Sequence, residues 1–324
     1  MPPSNAGSAA LLLALLVATL TSATPLILAA MGGILSERAG VVNIALEGLI
    51  LAGAFMGVAA GRASALTGLA AALAVGALLG ALHAFLTQKT RMNHVVSGLA
   101  ITLLAAGGTR YLFQKMLRDG VQVDGLPQSF FIVGALALPF AVTWLLSSTR
   151  FGLRLRAVGE NPTSARMAGI ASVPVRFAAV TLSGVCAALA GAFLSMSVAH
   201  RFSPDMSAGK GFIALAAVIF GKWHPLGAAV GALFFGFFDA LQSQLQISHV
   251  HLVALGVEWT NPFLLDALPY LMTLAALITL VGRATPPPPS ASKTPNFQRN
   301  RQKVYNELGH GNVMQGKPKE CMSL

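Results

Sequence analysis

The sequence predicts an all-α membrane protein, a polytopic transmembrane helical bundle with about nine crossings. Three observations lead there. Of 324 residues, 55% are hydrophobic and only 10% charged, where a soluble domain carries roughly a quarter charged residues. The apolar residues fall into runs close to the ~20 residues that a helix needs to cross the hydrocarbon layer. The basic residues, which set a net charge of +11, sit mostly in the connections between runs and in the C-terminal tail. That placement argues against nucleic acid as a partner and fits a topology signal.

Backbone polar groups inside a bilayer must be satisfied within the chain, so helices are favoured over open strands. In order, the runs are Ala9–Ala30, Asn43–Gly61, Leu66–Leu86, Val95–Phe113, Phe130–Leu146, Val175–Val198, Gly209–Gly221, Leu226–Leu245 and Leu265–Val281. The first has an apolar core but no basic n-region, since the first basic residue is Arg38. It reads as a retained helix rather than a signal peptide. The seventh is short and begins Gly-Lys-Gly-Phe, the mark of a segment that starts outside the membrane core or is broken or re-entrant. The connection 246–263 alternates polar and apolar residues and is expected to lie along the outer interface.

Orientation follows from basic residues in short loops. With 31–42, 87–94, 147–174, 222–225 and the tail inside, and with Arg176 and Arg283 counted at the adjoining boundaries, that side holds 16 Lys and Arg and the other holds six. The N-terminus is then outside and the C-terminus cytoplasmic. Residues 1–283 form the transmembrane domain, with 147–174 as a cytoplasmic loop within it. Residues 284–324 form a Pro-rich, basic tail. Its four successive prolines, Pro286–Pro289, stop any helix and favour an extended segment, and the rest of the tail is too polar to build a core.

Several polar features carry functional readings. Asn43 and Glu47 are four apart, the spacing of one helical face. A carboxylate near the start of an apolar span is costly unless it meets protein, water or a partner. Glu47 therefore either holds helices together or takes part in substrate passage or coupling. Asp239, in the eighth run, has the same two readings, with Gln242 and Gln244 near enough to help satisfy it. In the loop 147–174, Asn161 suits an N-cap, Pro162 a first helical position and Gly169 a stop. A helix over Pro162–Ala168 is expected there. Its arginines, among them Arg154, Arg156 and Arg166, serve topology or form a docking surface for a cytosolic partner.

Gly76 with Gly80, Gly227 with Gly231, and the series Ser183, Ala187, Gly191 have the small-xxx-small spacing of close helix packing. The seven histidines make no zinc signature, and neither the setting nor the spacing of Cys186 and Cys321 suggests a disulfide or metal site. No phosphate-binding G-x-x-x-x-G-K-[ST] pattern occurs either. If nucleotide drives this chain, another chain supplies the engine.

Three stretches carry a resemblance: Ser-Glu-Arg-Ala-Gly-Val-Val-Asn-Ile-Ala-Leu-Glu-Gly within Ser36–Gly57, then Thr149–Ile170, then Gly209–Gly236. Together they resemble the inner-membrane permease subunits of bacterial ABC importers for nucleosides and simple sugars, a branch of the branched-chain amino-acid/sugar permease superfamily. The resemblance implies transport by alternating access and no catalytic, cofactor or metal site in this chain. It implies cytosolic ATPase partners that bind ATP and Mg, an extracellular substrate-binding protein or lipoprotein, and a second, homologous permease subunit in a heterodimeric core. It also implies that Arg156, Gly159, Glu160, Asn161, Arg166 and Gly169 belong to a coupling element resting on the ATPase, with Asn43 and Glu47 near the central pathway. The rival readings are an ion-coupled secondary transporter using Glu47 or Asp239, a permease for branched-chain amino acids, and a non-transporting scaffold.

Overall fold

The computed structural model describes residues 5–117, 121–248, 253–254 and 257–258. The helices are α1 (Asn5–Arg38), α2 (Leu46–Gly61), α3 (Ala65–Gln88), α4 (His94–Met116), α5 (Gln128–Ser148), α6 (Arg150–Glu160), α7 (Pro162–Met167), α8 (Ser172–Ala192), α9 (Lys210–Phe220) and α10 (Pro225–Ser248). α8 continues into a π-helical stretch, Phe193–Val198. Among the described residues the only strands are Val253–Ala254 and Val257–Glu258, paired antiparallel. The expected ninth span, Leu265–Val281, the tail 284–324 and most of the connection 246–263 lie outside the described residues.

Six of these helices are long and apolar enough to cross a membrane: Leu12–Arg38, Ala65–Gln88, His94–Met116, Gln128–Ser148, Ser172–Val198 and Pro225–Gln246. The chain is an all-α, multi-pass membrane protein. Two further apolar helices are shorter, α2 with 16 residues and α9 with 11. At 1.5 Å per residue they reach about 24 Å and about 16 Å, against a hydrocarbon layer of about 30 Å. The seventh run is therefore a half-length helix, bounded by Gly209 (φ 79°) and Gly221.

The second run also begins later than its sequence suggests. α2 starts at Leu46, and Asn43 lies in the non-helical link 39–45 before it. Asn43 and Glu47 thus share no helical face. The reason is local: the Asn43 side-chain oxygen accepts the Ala45 N–H at 3.1 Å, a turn that competes with helix for the same backbone groups.

α8 is the most enclosed span. Its small residues let neighbours approach to backbone distance, as the GxxxG spacing of α3 requires. A Cβ on Gly76 would sit 2.5 Å from the Gly184 carbonyl oxygen, and one on Gly80 2.9 Å from that of Val180. The main core joins Leu26, Ile27, Met31 and Ile34 of α1 to Leu46, Leu49 and Ile50 of α2, with α8, α9 and α10 around them. Leu78, Leu103, Phe140 and Trp144 point outward and are well exposed, the apolar surface that lipid or a neighbouring membrane chain covers.

α6 was not foreseen inside the loop 147–174. Thr149 caps it, accepting the Gly152 N–H at 3.0 Å. Phe151, Leu155 and Val158 recur at i, i+4 and i+7; Leu155 and Val158 are fully buried, and Phe151 packs on the main core.

Candidate functional site

Two breaks in helical structure meet at Glu47. One is the link 39–45, which enters after Gly40 in a left-handed conformation. The other is the segment 199–209, a run of turns with His200, Asp205, Ala208 and Gly209 at positive φ. Phe202 anchors that segment, packed between Phe55 and Phe113. Irregular backbone survives among membrane helices only where protein or a water-lined cavity satisfies it, and here side chains do so. Asn43, fully buried, donates from Nδ2 to Ser183 Oγ at 2.9 Å, holding the link to the middle of the α8 span.

The Glu47 carboxylate is saturated with donors. Its Oε1 accepts Ser207 Oγ at 2.6 Å and the Gly209 N–H at 2.9 Å, and its Oε2 accepts the Gly211 N–H at 2.7 Å. Gly209 and Gly211 are the N-cap and second residue of α9, whose first N–H groups have no partner inside the helix. A negative charge at that end also meets the positive pole of the α9 dipole, and Glu47 occupies the first turn of α2 besides. The approach needs glycine: a Cβ on Gly211 would run into the Glu47 backbone. Through these bonds the Glu47 carboxylate fastens the start of α9 to α2.

Asp239 pairs with Lys210, a partner on α9. Lys210 Nζ lies 3.3 Å from Asp239 Oδ2, with side-chain exposures of 18% and 32%. Asp239 is about 21 Å along α10 from its start, so the N-terminal end of α9 lies well inside the bundle. The opposite end of α9 is also fastened. In the turn to α10, Trp223 donates its indole N–H to Glu37 at 2.5 Å and accepts Arg38 Nε at its carbonyl at 3.0 Å.

At the α6–α7 end of the bundle, Asn161 Oδ1 accepts the N–H groups of Thr163 and Ser164, both at 3.1 Å. Pro162 is the first residue of α7. The helix ends in a Schellman motif: Gly169 N–H bonds to Arg166 O and Ile170 N–H to Ala165 O, with Gly169 at φ 77°. Ala165 is buried, whereas Glu160, Asn161, Arg166, Met167 and Gly169 are exposed. Gly159 is buried, and a Cβ there would strike the Arg38 carbonyl. Arg156 is half-buried, and its Nε lacks a hydrogen-bond partner.

Residues 15–277 match the protein family described as the branched-chain amino acid transport system permease component. The chain belongs to this family. The permease is 39% identical over 302 residues to the guanosine ABC transporter permease protein NupQ of Bacillus subtilis (strain 168), a match covering 83% of this chain and 92% of that one. It is 36% identical over 297 residues to the nucleoside ABC transporter permease protein NupC of Lactococcus lactis subsp. cremoris, covering 82% and 91%. With the ribose import permease protein RbsC of Escherichia coli (strain K12) it shares 30% over 199 residues, 54% of this chain and 60% of that one. A permease component moves solute and is not itself an enzyme. Among the described residues of the permease, no group of three or more His, Cys, Asp or Glu is placed to hold a metal.

The candidate residues of the permease thus fall into two groups at different depths. Asn43 joins the link to α8, Glu47 joins α2 to α9, and Asp239 joins α10 to α9. Arg156, Gly159, Glu160, Asn161, Arg166 and Gly169 lie on α6 and α7 or at their ends. The sequence reading missed the partners: Ser183, Ser207, Lys210, Trp223 and Arg176. Arg176 stood in it as a boundary charge. In the structure it is buried, donating Nε to the Ala39 carbonyl at 3.0 Å and Nη2 to the Val158 carbonyl at 3.3 Å. An arginine five residues inside the start of a long apolar helix was the available signal.

Proposed function

We propose that this permease is the membrane subunit of an ATP-driven importer that moves nucleosides, or the simple sugars related to them, by alternating access. The similarity to the guanosine and nucleoside permeases over more than nine-tenths of their length carries the reading. ATP and Mg are then bound by a cytosolic ATPase, and this chain binds no cofactor. An extracellular substrate-binding protein or lipoprotein delivers the solute, and a second, homologous permease subunit completes a heterodimeric core. Nucleic acid has no part in it. The chain sits in the bacterial inner membrane with its N-terminus outside and its C-terminus cytoplasmic, crossing about nine times when Leu265–Val281 is counted. Residues 1–283 are the transmembrane domain, 147–174 its cytoplasmic loop and 284–324 the tail.

Within that frame, α7 and its flanks are the coupling surface. A capped helix that buries Ala165 and exposes Asn161, Arg166 and Met167 is suited to seat in a groove on a partner. Asn43, Glu47 and Asp239 border the pathway, where half-length helices and non-helical links meet. An ion-coupled mechanism is the weaker reading, because it needs a carboxylate free to exchange its ion. Glu47 has three donors and Asp239 has Lys210.

The test is reconstitution with the partner permease, ATPase and binding protein in proteoliposomes. Uptake of guanosine and other nucleosides is compared with ribose and branched-chain amino acids. ATP-dependent nucleoside uptake is expected. Uptake that persists without the ATPase refutes the reading, and a preference for ribose or leucine moves the substrate class.

A further inference from the structure

Arg176 and the link 39–45 connect parts of the permease that lie far apart along the chain. The Arg176 guanidinium, buried at the start of α8, bridges the carbonyls of Ala39 and Val158. It thereby ties the last turn of α6 to the first residues of the link. Gly159 lies directly on the Arg38 carbonyl beside that bridge, so no side chain cushions the contact between α6 and the end of α1. Three turn hydrogen bonds stiffen the link at its start, from the N–H groups of Ala39, Gly40 and Val41 to the carbonyls of Ser36 and Glu37. Asn43 fastens its middle. At its far end Glu47 holds the N-terminus of α9, while Glu37 and Arg38 hold the turn after α9 through Trp223.

α9 is therefore held at both ends by one short stretch of chain, residues 37–47, and Arg176 clamps that stretch to α6. We infer that α6–α7, the link and α9 move as a single strut, and that Arg176 is the positioning residue that makes them one. In this arrangement a displacement of α7 by a cytosolic partner reaches the α9 N-terminus in the bundle interior without passing through the lipid-facing helices. Packed elements with fixed hydrogen bonds transmit such a shift because they do not deform continuously. The inference rests on the ATP-driven reading above and adds the route of coupling to it.

Two measurements on the whole reconstituted importer test it. The first is solute imported per ATP hydrolysed. Arg176→Gln keeps a polar side chain but loses the two-carbonyl bridge, and is expected to lower the ratio about 5- to 10-fold, the lower end of a typical coupling free energy. Assembly and basal ATPase activity stay at the parent level, and Arg176→Lys, which retains a charged donor, restores most of the ratio. A parent-level ratio in Arg176→Gln overturns the inference.

The second needs no change at Arg176. Spin labels at Met167→Cys on α7 and Phe212→Cys on α9, with Cys186 and Cys321 replaced by alanine, report the strut length. One distance in the nucleotide-free and ATP-bound states is expected, even as Met167 moves relative to a label at Trp144→Cys on α5. A Met167–Phe212 distance that changes between those states overturns the strut even if Arg176→Gln fails to assemble. A parent importer without ATP-dependent uptake removes the underlying reading instead.

Discussion

Replacing Glu47 with alanine strips three donors of their acceptor at once. Ser207 Oγ can rotate toward another acceptor, but the Gly209 and Gly211 N–H groups are fixed at the end of α9. Each buried donor left without a partner costs about 1–3 kcal/mol, and losing the charge at the α9 N-terminus adds about 0.5–1 kcal/mol. Glu47 is only partly buried, so water recovers part of this, and a net loss of about 3 kcal/mol follows from the lower ends of those ranges. Glu47→Gln should cost less, about 1–2 kcal/mol, because the amide oxygen still accepts while its NH2 faces the Gly211 N–H. Thermal unfolding of the purified protein in nanodiscs reads the difference. At about 2–4 °C per kcal/mol, the alanine variant should melt about 6–12 °C below the parent, with the glutamine variant between them. An alanine variant melting with the parent, or below glutamine by nothing measurable, refutes the capping role.

Gly211→Ala should destabilise by about 1–3 kcal/mol through overpacking against the Glu47 backbone, with Glu47 itself intact; a parent-like melting temperature would contradict the close approach. Lys210→Met should leave Asp239 uncompensated in a part-buried site and cost about 1–2 kcal/mol, and adding Asp239→Asn should recover much of that. The test is a double-mutant cycle in thermal stability, with strict additivity counting against the pair. Arg166→Glu, on the exposed face of α7, should change stability by no more than about 0.5 kcal/mol while abolishing ATP-coupled uptake; unchanged coupling would remove α7 from the partner surface.

Features whose causes are local were readable in the sequence. The six long spans announce themselves by apolar length. The α7 caps do so by residue type, since Asn161, Pro162 and Gly169 act on backbone groups within a few positions. The link 39–45 was misread because Asn43 and Glu47 stand at helical spacing, while the bonds that fix them reach Ser183, Ser207, Gly209 and Gly211, 140 to 164 residues away. No local pattern encodes such a partner. Asp239 shows the same limit, its lysine lying 29 residues upstream on a separate helix. α6 was legible in principle from Phe151, Leu155 and Val158. Its arginines drew the reading toward charge and away from periodicity.

The wide separation between Glu47 and its donors has a consequence for biosynthesis. A chain made at about 5–20 residues per second exposes the Glu47 carboxylate for roughly ten seconds or more before Gly211 is even polymerised. During that interval a charged group in an apolar segment waits in or beside the translocation machinery. α9, at 11 residues, is too short to span the bilayer as a helix on its own account, so its placement and the covering of the Glu47 carboxylate become one event. A nascent chain cut off before Ser207 therefore lacks all three of the donors that meet this carboxylate in the finished molecule.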